Sequence, residues 1–168
     1  MMKPRIYFAG KIAANCWRHD LVPQLRGWQQ ASGPIDCGAF TYTGPFFASC
    51  DHKCRHGEAT HGVLGAGCMP DIEETRNKVF KANQASLESS SRVFAYIAAN
   101  DCYGTLFELG WAGKAGIPVF IVFAPSVEID EFWYAQQQMA TILPKPIVST
   151  RSMLPALFQA YLAGGLDK

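Results

Sequence analysis

The sequence predicts an α/β domain built on a mostly parallel sheet, and three observations predict it. Short runs rich in β-branched and aromatic residues recur along the chain: "RIYFAG", "AFTYTGPFF", "RVFAYIA", "IPVFIVFA" and "KPIVST". Between them, apolar residues fall at helical spacing. The run from Ile117 to Ala124 is almost continuously apolar, as expected of a strand buried on both faces of a parallel sheet. Strands alternating with helices imply parallel pairing through crossovers.

Each element has its own signal. The first strand ends at Gly10, and Trp17, Leu21, Leu25 and Trp28 then predict a first helix. The second run is interrupted at Gly44-Pro45. From Ser49 to Gly67 no periodicity holds, which predicts a long Cys/His-rich loop. Pro70 and Asp71 open a second helix, with Asp71 and Glu74 at capping-box spacing and Ile72, Val79, Phe80 and Leu87 near one face. The stretch "DCYGTLFELGWAGKAG" reads as a turn and a helix ending at Gly116. A helix around Phe132 to Thr141 and a closing helix from Ser152 to Gly164 complete the pattern. The expected architecture is a single domain over residues 1–168. It has a five-stranded, flavodoxin-like (Rossmann-like) parallel sheet with helices on both faces, and the loop at about 49–67.

Composition narrows the function classes. The chain has 168 residues, 49% hydrophobic and 17% charged, with a formal net charge of +1. That balance suits one well-cored domain and offers no polycationic surface, so no nucleic-acid partner is expected. No apolar run reaches the ~18 residues of a membrane span, and "MMKPRIYFAG" lacks the apolar core of a signal peptide. Six cysteines without such a signal suggest reduced thiols and a cytoplasmic protein.

Ligands of open α/β sheets bind outside the carboxyl ends of the strands. Here those ends carry "YFAGKI", the Cys/His loop and "AANDCYGT". Glu108 lies about one turn into the helix that leaves the third strand, with Leu106, Phe107, Leu109, Trp111 and Ala112 around it. A glutamate there has two readings. It can be a surface residue favoured by the helix dipole, or a half-buried carboxylate serving a strand-end cleft.

The segments "IYFAGKI" and "FAYIAANDCYGTLFELGWAGKAGIPVFIVFA" resemble the nucleoside 2-deoxyribosyltransferase superfamily, which includes the 2'-deoxynucleoside 5'-monophosphate N-hydrolases. The matching positions are Tyr7, Gly10, Gly104, Thr105, Glu108 and Gly110. The resemblance implies cleavage or transfer of an N-glycosidic bond, with Glu108 as nucleophile and a covalent glycosyl-enzyme resolved by water or by another base. It implies that Tyr7 orients Glu108 and that Gly10, Gly104 and Thr105 shape the pocket. It further implies a nucleoside or nucleotide substrate, no required cofactor, and a homodimer or higher homo-oligomer. A carboxylate suits this chemistry because the sugar develops oxocarbenium character as the base departs.

The chain departs from the family pattern in three places. Cys102 stands where transferases carry an Asp, and Asp101 beside it is the candidate acid or sugar-hydroxyl partner. The preceding helix lacks the family's Asp, Asn83 being the nearest polar residue. The Arg that follows the first strand in the hydrolases is absent; Lys11, Arg18 and His19 are its candidate substitutes.

The stretch "SCDHKCRHGEATHG" adds a second candidate. Cys50, His52, Cys54 and His56 combine ligand types that suit a structural zinc, although their spacing matches no standard finger. The same loop can instead be unmetallated, or fold over the sheet edge so that His61 or His56 meets the substrate. Ser126, after the fourth strand, is a candidate ligand contact or an ordinary turn serine. The remaining cysteines read as small buried hydrophobes. Phe132, Trp133 and Tyr134 read as candidates for a subunit contact. A zinc-stabilised nucleotide-binding or sensor module without turnover is the reading from a different class.

Overall fold

Tyr7 and Phe8 are adjacent on the first strand and leave it on opposite faces, which organises the whole molecule. The computed structural model of the chain describes residues 3–12, 16–25, 33–45, 72–139 and 146–164. Strand β1 (Arg5–Ala9) pairs in parallel with β3 (Thr41–Gly44) on one side and β4 (Arg92–Ile97) on the other. Strand β5 (Val119–Phe123) and the short β6 (Ile147–Val148) extend the sheet beyond β4, again in parallel. The order is β2-β3-β1-β4-β5-β6.

The sheet therefore has six strands, not the five expected. The additional one is β2 (Ile35–Asp36), antiparallel to β3 at the edge. A tight turn produces it: Gly38 sits at φ +78° and its N–H donates to Asp36 Oδ1 at 2.8 Å. Two residues carry no readable periodicity, so the sequence pattern could not reveal this strand.

The first helix is also shorter than its apolar spacing implied. Helix α1 spans Arg18–Leu21, and a 3₁₀ turn, Pro23–Leu25, follows. Pro23 lacks an N–H and disfavours helical geometry at Val22, which lies at φ −129°, ψ 80°. Helix α2 covers Ile72–Glu88; Asp71, its expected cap, lies outside the described residues. Helix α3 runs Tyr103–Lys114. Its end is a Schellman motif: Gly116 N donates to Gly113 O, Ile117 N donates to Ala112 O, and Gly116 has φ +70°. Helix α4 (Trp133–Met139) follows a 3₁₀ turn at Ile129–Phe132. Helix α5 (Leu154–Leu162) follows another at Arg151–Met153 and has proline in its first turn.

The two faces bury different things. Phe8, Phe94 and Phe120 line one face, where Trp17, Phe158 and Tyr161 of the α1 and α5 side pack on them. On the other face α3 packs between α2 and α4. Phe132 turns inward there against Phe123, with ring centroids 5.9 Å apart, and so belongs to the core. Its neighbours Trp133 and Tyr134 remain 61% and 73% exposed. No helix of the described residues is long and apolar enough to cross a membrane.

Candidate active site

The chain leaves β1 for β3 on one side and later enters β4 on the other. In open α/β sheets such a reversal marks the crevice where ligands bind, outside the carboxyl ends of the flanking strands, here β1 and β4. Two contacts join the strands' exits there. The Tyr7 hydroxyl on β1 donates to Glu108 Oε1 on α3 at 2.5 Å. Lys11, two residues past β1, pairs with Asp101 Oδ2 at 2.7 Å, in the turn between β4 and α3.

The polypeptide places both partners of the first contact by ordinary means. Tyr7 points to the α3 face because Phe8 must fill the opposite core. Gly104, Phe107, Glu108 and Trp111 fall at i, i+3, i+4 and i+7, so they share one stripe of α3. That stripe and α2 enclose a cavity of about 420 Å³. Leu87, Asn83 and Gln84 line it from α2; Phe107, Glu108 and Trp111 line it from α3. The wall is largely apolar, with one carboxyl and two amides.

Burial sets the charge state of the carboxyl. It pushes Glu108 up from 4.5 to about 7, while the Tyr7 hydrogen bond and the Arg18 charge pull the other way. The titration of Glu108 is therefore brought into the neutral range, where both the carboxylate and the protonated form are accessible. Burial, with the Glu108 charge beside it, raises the Tyr7 phenol well above its usual range, so Tyr7 acts as a neutral donor. Asp101 is the opposite case. The hydrogen bond and charge of Lys11 hold its carboxyl below the usual range, so it is an anionic acceptor and not a proton source at neutral pH.

The other expected residues fall as follows. Gly10 takes φ +153°, and a Cβ there would lie 2.8 Å from Tyr96 O and 3.1 Å from Trp17 Nε1. The turn thus needs glycine for backbone reach and for close packing. Gly104 lines the cavity, and a Cβ on it would meet open space. Thr105 is buried in the first turn of α3. Ser126 lies exposed in the turn after β5 and is not a cavity residue. His61 and the candidate zinc ligands Cys50, His52, Cys54 and His56 lie outside the described residues. Among the described residues, no group of three or more His, Cys, Asp or Glu is placed to hold a metal ion. Cys16 and Cys102 are buried and Cys37 half-buried, and none of the three is in a disulfide.

Sequence reasoning missed Gln84, Phe107 and Trp111 as cavity residues. The signal was present: Phe80, Asn83, Gln84 and Leu87 share one face of α2 at helical spacing, as the α3 stripe does. Which two helix faces meet is a tertiary fact. Comparison with family models, with curated proteins and with solved structures gives no match for this chain.

Proposed function

We propose that this protein cleaves or transfers the N-glycosidic bond of a nucleoside or nucleotide, with Glu108 as the nucleophile. The observation that carries the reading is a carboxyl held by a buried tyrosine in the wall of an aromatic cavity near the sheet's switch point, where burial raises its pKa. A flavodoxin-like sheet, with five parallel strands in the order second, first, third, fourth, fifth, accounts for the crevice.

In this mechanism a Glu108 carboxylate oxygen forms a bond to the anomeric carbon as the C–N bond breaks. The base leaves with the bonding electron pair and takes up a proton from solvent water. Water or a second base then attacks the same carbon and releases Glu108. Tyr7 holds one carboxylate oxygen, which fixes the attacking group and opposes its protonation. Phe107 and Trp111 supply faces on which a heterocycle stacks, and Asn83 and Gln84 supply amides for its polar edge. Asp101 serves as the sugar-hydroxyl acceptor and Lys11 as its counter-ion.

The test is to incubate the protein with a panel of nucleosides and nucleoside monophosphates, with and without an added acceptor base. Free and exchanged base are followed by chromatography. Base release by the wild type but not by Glu108→Ala supports the proposal; no release from any substrate overturns it. A second reading has one observation in its favour: Glu108 is the only carboxyl among the described residues lining the cavity, so none there is left to protonate the leaving base. On that reading the domain binds nucleotides without turnover, which binding without base release would reveal.

We also propose a homodimer that uses the exposed Trp133 and Tyr134 of α4, since paired exposed aromatics are expensive to leave in water.

A further inference from the structure

Arg18 is fully buried, and its guanidinium makes no ion pair with a carboxylate among the described residues. Its donors go elsewhere. Nε and Nη2 reach Phe8 O at 3.0 and 2.8 Å, Nη2 also reaches Gly10 O at 2.6 Å, and Nη1 reaches Lys11 O at 3.2 Å. The guanidinium also lies over the Trp17 ring, 4.8 Å from its centroid, and Nη1 reaches Cys16 Sγ at 3.4 Å. His19 Nδ1 stands 3.8 Å from the same sulfur. Carbonyl oxygens satisfy hydrogen bonds but do not cancel a charge, and a buried cation without a counter-ion is strongly unfavourable. Among the described residues, the Cys16 sulfur is the one atom in contact with Arg18 that can carry a full negative charge.

We propose that Cys16 is a thiolate serving as the counter-ion of Arg18, and that Arg18, so held, is a positioning residue for the nucleophile Glu108. The clamp acts on the end of β1, the strand that carries Tyr7, and the Arg18 charge acts through space on Glu108. Charges around the thiol are consistent with this. Burial opposes its ionisation, but Arg18 and His19 outweigh burial and bring it to about 6. Among the described residues, Tyr42 of β3 and Arg151 beyond β6 also feel its charge, and Glu108 feels that of Arg18. The role of Arg18 towards Glu108 rests on the nucleophile reading above; the state of Cys16 does not.

Three measurements test the proposal on the full chain. The ultraviolet thiolate absorbance of wild type minus Cys16→Ala should show one thiol titrating near 6. Titration at the usual thiol value of ~8.5 or above overturns the ion pair. Cys16→Asp, which restores an anion, should melt at a higher temperature than Cys16→Ala at neutral pH. The reverse order would mean that Cys16 is only a small apolar filler. Finally, the Glu108 carboxyl carbon, followed by NMR against pH, should titrate at higher pH in Arg18→Met than in wild type. An unmoved midpoint in folded Arg18→Met removes the link to Glu108, and this readout requires no turnover. If that variant does not fold, the first two measurements still decide the ion pair. The same NMR titration in Cys16→Ala then decides the link, with a midpoint below that of wild type expected and an unchanged one overturning it.

Discussion

Tyr7 and Glu108 are 101 positions apart in sequence, yet the phenol donates to the carboxylate at 2.5 Å. The contact spans the crevice between β1 and the helix that leaves β4. It ties the ionisation of one residue to the placement of the other.

Loss of the carboxylate should remove catalysis while sparing the fold. Glu108→Ala is expected to lose on the order of 10³-fold or more in base release, since each ~1.4 kcal/mol of lost transition-state stabilisation is a factor of ten. Circular dichroism should match the wild type. A folded Glu108→Ala protein with wild-type turnover would disprove the assignment.

Base release should rise with pH through about 7, the value to which burial brings Glu108, because the attacking form is the carboxylate. Stability should move the other way. The folded-state value lies above the ordinary 4.5, so the native state holds the proton more tightly than the unfolded chain. The stability contributed by Glu108 is full below 4.5 and is lost as pH rises through about 7. Glu108→Gln, neutral at every pH, should therefore gain in melting temperature relative to the wild type between these values. The gain should level off above them. Parallel melting curves for the two proteins across this range would contradict the shift.

Tyr7→Phe keeps the ring that fills the core and removes the donor. The hydrogen bond lowers the Glu108 value, so its loss should move the midpoint of the pH–rate profile further upward. Leaving a part-buried carboxyl oxygen without its partner should cost about 1–3 kcal/mol in stability. Chemical denaturation and a pH–rate series on the same variant would separate the two effects.

Gly10→Ala should destabilise by about 1–3 kcal/mol, because a positive φ and a close backbone contact coincide there. The added Cβ would meet Tyr96 O, a backbone atom that cannot swing aside as a side-chain tip can. Gly104→Ala offers the control, since its Cβ would meet open space in the cavity. It should keep stability and affect substrate binding. Thermal melts of the pair, with activity for the second, check both statements.

The wild-type protein should scatter light as a dimer at micromolar concentration, and the double substitution Trp133→Ser, Tyr134→Ser should shift it toward monomer. A monomer mass for the wild type would remove α4 as a contact surface.

Much of this protein is written in local pattern. The five parallel strands follow from runs of β-branched and aromatic residues, the helices at 72–88 and 103–114 from apolar periodicity, and the stop at Gly116 from glycine's freedom at positive φ. Glu108 was legible too, because a carboxylate among apolar neighbours near a strand end breaks that pattern. Local pattern does not specify which faces meet. Packing α2 against α3 created the cavity and brought in Gln84, Phe107 and Trp111, residues that in sequence look like ordinary helix surface and core. Pro23 cut the first helix short although its apolar spacing continued, because a missing donor outweighs amphipathicity at one position. The charge states were decided last of all. Lys11 reaches Asp101 across the crevice and lowers its carboxyl pKa further, and burial by other chain segments raises Glu108 to about 7. Periodicity is a property of neighbours along the chain, whereas desolvation and ion pairing depend on distances through space that only the closed sheet defines.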